Sequence, residues 1–172
     1  MSNRLCLMDN GQLIIDNCCI CQLKDFIVFN FNKDMNAIAG LNHLNLAVSN
    51  LKVSFNFYTR KLNFKPLAKW KHGAYFLAGD LWFTLSFNPN YPPEARTDYT
   101  HYAFSVSKAD LDYYHQNIER LNLKLWQENT SEGNSLYILD PDNHKLELHV
   151  GDWQTRLEAV KKNPYEDMVF YV

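Results

Sequence analysis

The chain has 172 residues, 47% apolar and 15% aromatic, enough for one compact domain with a sizeable core. Its formal net charge of −2 argues against a nucleic-acid partner, because binding phosphates requires a basic face. The sequence contains no run of about 18 apolar residues that could span a membrane. Charged residues also interrupt the apolar stretches near the N-terminus, unlike a signal peptide. We therefore expect a cytoplasmic protein.

Residues 1–34 differ in composition from the rest of the chain. They contain no histidine and all four cysteines, namely Cys6, Cys18, Cys19 and Cys21. A disulfide framework would distribute cysteines across the fold, so we do not expect one. A metal site formed by the last three cysteines is an alternative, although their spacing lacks a paired C-x-x-C. We interpret 1–34 as a dispensable extension, Met35 as the functional start, and 35–172 as the domain.

The first element of this domain is a strand that alternates apolar and polar residues, 43–49 (HLNLAVS). A helix should follow, with Ser49 or Asn50 as its N-cap and an apolar face formed by Leu51, Phe55, Tyr58 and Leu62. Three strands complete this half, with Gly79 and Asp80 forming the turn before the last. They are expected at Phe64–Trp70, Ala74–Leu77 and Leu81–Phe87.

After a proline-rich linker, 88–97, the same pattern recurs. Residues 101–107 (HYAFSVS) repeat the first strand. A helix with Ser107 as its N-cap should follow, and Asp110, three residues on, makes this start close to a capping box. Its apolar face comprises Leu111, Tyr114, Ile118 and Leu121. The remaining strands are expected at Lys124–Glu128, Ser135–Leu139 and Lys145–Val150, with a turn at Asp140–Asn143.

This repeat predicts an α+β fold of tandem βαβββ modules forming a cupped mixed sheet. The modules cover about 38–87 and 98–150, and a C-terminal helix or tail covers 151–172. Two copies of one module suggest two curved sheets that face each other across a concave pocket, which is a preferred place for a ligand.

Strand alternation places three potential metal ligands on the faces opposite the core: His43, His101 and Glu147. Two imidazoles and a carboxylate are a common set for a divalent metal that keeps open positions, and the carboxylate favours manganese or iron. Any single histidine at a strand start is more often a surface residue. The matching positions of the two histidines in the repeat strengthen the metal interpretation, with Thr84 as the counterpart of Glu147 in the first half.

The other histidines are weaker candidates. His149 shares a face with Glu147 and is a possible substitute ligand, although an ordinary surface position is the simpler interpretation. Solvent exposure is expected for His72, His115 and His144.

Several motifs together resemble FosA-type fosfomycin-resistance thiol transferases, which belong to the vicinal oxygen chelate superfamily. They are Gly40–His43 (GLNH), Asp98–Phe104 (DYTHYAF), Asn129–Ser135 (NTSEGNS), Leu139–Asp142 (LDPD) and His149–Asp152 (HVGD). The similarity covers about residues 38–170. The combination of the second and third motifs is specific to this branch.

The resemblance implies a homodimer whose sites are shared between subunits, with His43 from one subunit and His101 and Glu147 from the other as ligands of Mn(II). It implies that a thiolate, usually of glutathione, attacks the less hindered epoxide carbon of fosfomycin while the metal stabilises the charge developing on oxygen. It also implies a potassium-binding loop that includes Asn129, Ser131, Gly133 and Ser135.

The resemblance further implies the substrate contacts. The phosphonate contacts would be Ser131, Ser135, Tyr137 and Arg156. The pocket walls would be Tyr75, Trp82 and Tyr99. Without the resemblance, the loop would be read as an ordinary turn, Arg156 as a surface charge and the aromatic residues as core.

Two positions depart from the family pattern. Asn45 stands where the family usually has a threonine that hydrogen-bonds the epoxide oxygen, and Gln127 stands where it has a lysine at the phosphonate site. An amide can donate a hydrogen bond but cannot pass on a proton as a hydroxyl can. Loss of one charge-assisted hydrogen bond weakens binding by about 1.5–3 kcal/mol. We therefore expect a slower or weaker enzyme than its relatives, and higher turnover when threonine and lysine are restored together.

Three alternatives keep the same fold. The first is an epoxide hydrolase, or an enzyme using another thiol or small substrate, which the mass of the product would distinguish. The second is a non-catalytic drug-binding protein, although such proteins commonly lack the metal ligands. The third is an Fe(II) oxygenase, which would consume oxygen.

Overall fold

The computed structural model describes residues 38–92, 94, 96–129 and 134–172. All elements below belong to one compact unit, Gly40–Val172. Residues 1–34, with the four cysteines, lie outside the described residues. The prediction that this segment is a dispensable extension therefore concerns a part of the chain that the structure does not describe. Within the described part of the chain, no helix has the length and apolar character needed to cross a membrane.

The first module is a four-stranded mixed sheet with one helix. Its strand order is β1-β4-β3-β2, with β1 parallel to β4 and the other pairs antiparallel. The helix begins after Asn50, whose side chain accepts a hydrogen bond from the Val53 N–H, and it ends in a π-helical turn at Phe57–Lys61. The elements are β1 His43–Val48, α1 Leu51–Asn56, β2 Lys65–Trp70, β3 Gly73–Ala78 and β4 Leu81–Phe87.

The second module repeats this arrangement, with strand order β5-β8-β7-β6 and β5 parallel to β8. Ser107 caps its helix by accepting a hydrogen bond from the Asp110 N–H, as predicted. A third helix follows the last strand. The elements are β5 Tyr102–Ser105, α2 Lys108–Gln116, β6 Lys124–Gln127, β7 Asn134–Leu139, β8 Lys145–Val150 and α3 Trp153–Val160. The predicted α+β fold of two βαβββ modules is confirmed.

The strand registers confirm that the modules are equivalent. Asn45 pairs with Thr84 between β1 and β4, and Ala103 pairs with Glu147 between β5 and β8. Thr84 is therefore the positional counterpart of Glu147, as the sequence repeat predicted.

The second helix is shorter than its apolar periodicity indicated. α2 ends at Gln116, so Ile118 and Leu121 lie in the turns that follow, although both still pack against the core. Asn117 follows the last helical residue, and its side chain donates a hydrogen bond to the Tyr113 carbonyl. Asparagine competes locally for backbone hydrogen bonds in this way and so disfavours continuation of a helix.

The apolar faces of the two sheets contribute to one shared core. Leu46 and Phe83 of the first sheet and Leu146 of the second are buried in the same cluster. The ring of Phe104 packs 5.3 Å from Phe64, centroid to centroid, and joins the modules directly. Strand alternation therefore puts the opposite faces, which carry His43 and His101, on the outside of this core. We expected a concave pocket between the two facing sheets. Within one chain, however, the faces that meet are the apolar ones, so the polar faces do not enclose a pocket.

A polar clamp, formed by Asp140, Asp142 and His144 at the β7–β8 turn, also joins the modules. The Asp142 carboxylate accepts hydrogen bonds from the Ser49 N–H and hydroxyl at 2.8 and 2.5 Å and from the Ser54 hydroxyl at 2.8 Å. Ser49 directly precedes the N-cap of the first helix, and Ser54 lies within that helix. The second module thus holds the first through a buried carboxylate that is only 4% exposed.

The other two residues of the polar clamp extend this contact. Asp140 accepts a hydrogen bond from the Tyr58 hydroxyl at 2.8 Å, and burial raises the pKa of both groups. His144 is 9% exposed, so the prediction that it is solvent-exposed is wrong, whereas His72 and His115 are exposed as predicted. The His144 Nε2 donates to the Ala47 carbonyl at 2.8 Å, a tertiary contact that its place in a turn did not reveal.

Candidate active site

His101 and Glu147 form the centre of the site on the second sheet. The His101 Nδ1 lies 2.9 Å from the Tyr99 carbonyl oxygen, and because a carbonyl can only accept, Nδ1 carries the hydrogen. The Nε2 lies 2.9 Å from the Glu147 Oε2. Two electron-rich atoms this close require a shared cation, either a proton or a metal ion. An imidazole nitrogen and a carboxylate oxygen are both donors that divalent metals accept, so the pair could contribute two ligands to a metal site.

The second oxygen of Glu147 is held by two neighbours. The Ser135 hydroxyl donates to the Glu147 Oε1 at 2.6 Å, and the His149 Nδ1 lies 2.8 Å from the Ser135 Oγ and 3.2 Å from the same Oε1. Glu147 is only 6% exposed and Ser135 is 2% exposed. These contacts leave Oε2 as the oxygen presented towards His101. Such hydrogen bonds to a ligand oxygen fix its orientation in metal sites.

His149 therefore has more than the surface role that we considered simpler from the sequence. Its side chain is 18% exposed and contacts both Ser135 and Glu147. The signal in the sequence was its position on the same strand face as Glu147, two residues further along.

An aromatic wall surrounds His101. It consists of Tyr99, Trp126 and Tyr137, whose ring centroids lie 5.1, 6.0 and 6.2 Å from that of His101. The Lys145 Nζ lies 4.7 Å from the centre of the Trp126 ring and donates to the Asp98 carbonyl. Sequence reasoning missed Trp126, because a bulge between Leu125 and Gln127 interrupts the alternation of β6.

Two further contacts order the segment before His101. The Gln127 Nε2 donates to the Tyr99 hydroxyl at 3.2 Å, so the amide at this position contacts the aromatic wall. Asp98 accepts hydrogen bonds from the Arg96 guanidinium and from the Thr100 N–H. The Arg96 hydrogen bonds, followed by those of Thr100, hold the pKa of Asp98 well below its usual range. Asp98 is therefore ionised across the neutral range and caps the turn that leads into Tyr99 and His101.

Arg156 lies on α3, beside the Glu147 cluster. It lines a cavity of about 360 Å³ together with Glu147, His149 and Trp153. Asp152 and Thr155 form a reciprocal capping box that fixes the start of this helix. The structure thus places Arg156 and Glu147 around the same cavity.

The remaining predicted residues line the exposed face of the first sheet. The His43 ring packs 4.8 Å from Trp82, and Trp82 packs 5.2 Å from Tyr75. Asn45 lies on the same face, and its side-chain oxygen accepts hydrogen bonds from the hydroxyls of Thr84 at 2.5 Å and Ser86 at 2.9 Å. These residues form a second half-site.

The two half-sites do not combine within one chain. His43 contacts Asn42 and Trp82, and among the described residues no three histidine, cysteine, aspartate or glutamate side chains are placed to hold one metal ion. Two of the predicted potassium ligands, Ser131 and Gly133, lie outside the described residues. Ser131 was also predicted to contact the phosphonate. Asn129 and Ser135 both line a cavity of about 540 Å³ beside Tyr137.

The model of the Glyoxalase/Bleomycin resistance protein/Dioxygenase superfamily matches residues 40–148. The match covers nearly all of both modules and includes His43, His101 and Glu147. The chain belongs to this superfamily.

Relatives within the superfamily confirm the resemblance drawn from the motifs. The glutathione transferase FosA of Serratia marcescens is 47% identical over 135 residues, which are 77% of this chain and 96% of that protein. The metallothiol transferase FosB of Staphylococcus saprophyticus is 35% identical, over 78% of this chain and 91% of that protein.

Solved structures of superfamily members agree. The fosfomycin resistance protein FosX of Mesorhizobium loti matches with a TM-score of 0.60 and 30% identity, covering 70% of this chain and 99% of that chain. FosX of Listeria monocytogenes, in complex with Mn(II) and 1S,2S-dihydroxypropylphosphonic acid, matches with a TM-score of 0.64 and 29% identity over 72% of this chain and 98% of that chain. The predicted vicinal oxygen chelate fold is thereby confirmed.

Proposed function

We propose that this protein inactivates fosfomycin by adding a thiol, glutathione in the first instance, to its epoxide, and so confers resistance to the antibiotic. One observation of the site carries the proposal: the His101 Nε2 and the Glu147 Oε2 face each other at 2.9 Å, with the Nδ1 fixed on the Tyr99 carbonyl. An imidazole nitrogen and a carboxylate oxygen are a suitable pair of ligands for a metal cation. The identity to FosA and FosB supports the thiol-transfer chemistry.

The metal ligands would be His101 and Glu147 of one subunit and His43 of a second copy in a homodimer. This donor set fits Mn(II), which favours a carboxylate with imidazoles, and other divalent ions also suit it. When bound, the ion supplies Lewis acidity to the epoxide and phosphonate oxygens. A second copy would be needed because His43 and the His101–Glu147 pair belong to different sheets and, among the described residues, no three such side chains meet around one ion.

The charge distribution supports pairing of unlike modules in the dimer. Residues 38–87 contain six basic residues (lysine or arginine) and one acidic residue. Residues 98–150 contain four basic and nine acidic residues. A first module placed against the second module of another copy would therefore bring opposite charges together. Complementary charge favours that orientation over like-with-like pairing.

The second module would bind the phosphonate. Arg156 offers a planar fork of N–H donors suited to phosphonate oxygens, and it shares a cavity with Glu147. Ser131, Ser135, Tyr137 and Gln127 would add contacts. Oxygen atoms of Asn129, Ser131, Gly133 and Ser135 would hold K⁺ beside the phosphonate, since hard cations prefer oxygen ligands.

The reaction forms one C–S bond and breaks one C–O bond. The thiolate attacks the less hindered epoxide carbon, the ring oxygen takes the electron pair, and a proton from solvent converts it to a hydroxyl. Tyr75, Trp82 and Tyr99 would wall the pocket, and holding the two reactants side by side lowers the entropic part of the barrier. Asn45, Tyr99 and Arg156 would be the polar groups closest to the reacting oxygens.

Two further features belong to this proposal. Thiol donors such as glutathione are kept reduced in the cytosol, so we assign the enzyme to the cytoplasm. The superfamily match begins at residue 40, which supports the proposal that 1–34 is dispensable for activity.

Product mass tests the function. Purified protein is incubated with fosfomycin, Mn(II), K⁺ and glutathione, with parallel reactions that omit each component. We expect a product with the mass of fosfomycin plus glutathione, lost when Mn(II) is removed by chelation. Unchanged fosfomycin in the complete mixture would refute the proposal.

The likeness to FosX supports one alternative, hydration of the epoxide. A FosX structure contains a dihydroxypropylphosphonic acid, the compound expected when water opens a propylphosphonate epoxide. The same incubation separates the two reactions, because hydration adds the mass of one water in the absence of glutathione.

A further inference from the structure

The side chain of Asn45 is held in one orientation by two hydroxyls of the neighbouring strand. Thr84 stands directly opposite Asn45 in the β1–β4 register, and its Oγ1 lies 2.5 Å from the Asn45 Oδ1. The Ser86 Oγ lies 2.9 Å from the same oxygen. A carbonyl oxygen has two lone pairs, so both hydroxyls are satisfied by a single amide.

This arrangement determines which end of the amide is available. Because both hydroxyls bind the Asn45 oxygen, the polar atom of its amide that remains available to a ligand is the nitrogen, which carries two N–H donors. Thr84 is 5% exposed, so its hydroxyl is fixed, whereas Asn45 itself is exposed on the face that carries His43. The side chain thus presents hydrogen-bond donors, and no acceptor, to whatever occupies the half-site.

We propose that Thr84 and Ser86 are positioning residues that turn the Asn45 amide N–H towards the epoxide oxygen of the substrate. The inference rests on the proposed function. A donor aimed at an oxygen that becomes negative binds the transition state more tightly than the substrate. Asn45 therefore supplies a fixed hydrogen bond, and the proton that completes the product comes from water.

The kinetic test is a double-mutant cycle between positions 84 and 45. Thr84→Val keeps the shape of the side chain and removes the donor, and Thr84→Ser keeps the hydroxyl. A hydrogen bond between neutral groups corresponds to about a twofold to tenfold effect, so Thr84→Val should lower kcat by that factor with little change in KM, while Thr84→Ser restores the rate. In an Asn45→Ala background, Thr84→Val should have no further effect.

A structural role for Thr84 predicts a different result. Disturbed packing of β4 would lower the rate equally in the wild-type and Asn45→Ala backgrounds, and such equal losses would overturn the proposal. Affinity for Mn(II), measured by titration calorimetry, should remain unchanged in Thr84→Val. A loss of affinity that accounts for the loss of rate would also overturn it.

A second measurement does not depend on catalysis. Relaxation of the Asn45 side-chain ¹⁵N should show a rigid amide in the wild type and in Thr84→Ser, and a mobile one in the Thr84→Val/Ser86→Ala double variant. A mobile amide in the wild type would overturn the positioning role. Failure of the wild type to form any glutathione adduct would instead refute the proposed function, so the two failures are distinguishable.

Discussion

Replacing Asp142 tests whether the polar clamp holds the two modules together. The Asp142 carboxylate accepts three hydrogen bonds from Ser49 and Ser54 and is 4% exposed, while Ser54 is fully buried. Hydrogen bonds to a charged group contribute about 1.5–3 kcal/mol each, and they are not additive. In Asp142→Ala the buried donors lose their acceptor, so we expect a loss of about 3–5 kcal/mol in the free energy of unfolding.

The assay is urea unfolding followed by both tryptophan fluorescence and far-UV circular dichroism at fixed protein concentration. A loss of this size corresponds to a fall in Tm of roughly 6–20 °C for a chain of this length. Asp142→Asn keeps one acceptor oxygen and should lose less, which allows a measurement if the alanine variant does not fold. Adding Ser54→Ala to Asp142→Ala should recover part of the loss, because it removes a donor that has no acceptor.

The matched control is Asp112→Ala on α2. The side chain of Asp112 is 47% exposed and pairs with Lys108 at the surface. An exposed pair contributes less than about 1 kcal/mol. If Asp142→Ala cost no more than this control, the polar clamp would contribute nothing and our account of how the modules are joined would be wrong.

Three further predictions concern the site, and a fourth concerns residues 1–34. Ser135→Ala frees the Glu147 carboxylate and should weaken Mn(II) binding about 10–100-fold in titration calorimetry; unchanged affinity would exclude a role in orienting the ligand. Gln127→Lys should lower KM for fosfomycin by about tenfold or more by restoring one charge-assisted hydrogen bond. His43→Ala and Glu147→Ala chains, each inactive, should regain about a quarter of wild-type activity when mixed and reassociated, because half of the dimers then contain one intact site; no recovery would exclude a site shared between subunits. A variant starting at Met35 should keep the turnover and Tm of the full chain, and a loss of either would refute the dispensability of 1–34.

The sequence was most informative where strand alternation decides the outcome. The apolar positions Leu46, Val48, Leu146 and Leu148 are all buried on the faces predicted to be core, which leaves Glu147 on the opposite face. A period of two residues fixes the face of every side chain once one face is buried. The faces of the site residues on regular strands were therefore predictable from the sequence alone.

The missed features depend on tertiary contacts that periodicity does not encode. Strict alternation in β6 does not predict that Trp126 packs against His101. The contact depends on the bulge in that strand, which the sequence pattern did not reveal. His144 lies in a turn, where residues are usually exposed, but this turn packs against the first module and buries it. In both cases the deciding partner lies in a different element, far away in the sequence.

The shared core and the divided site are consequences of the same duplication. Because each module buries the apolar face of its sheet against the other, the polar faces with His43 and with Glu147 are directed outwards, and one chain cannot complete the proposed ligand set. Metal binding and association of two copies would then be coupled, since a cation that binds only the dimer stabilises it in proportion to RT ln(1 + [M]/Kd). At protein concentrations where the dimer dissociates, a change that weakens the dimer must therefore also lower the apparent metal affinity, even when it leaves His101 and Glu147 untouched.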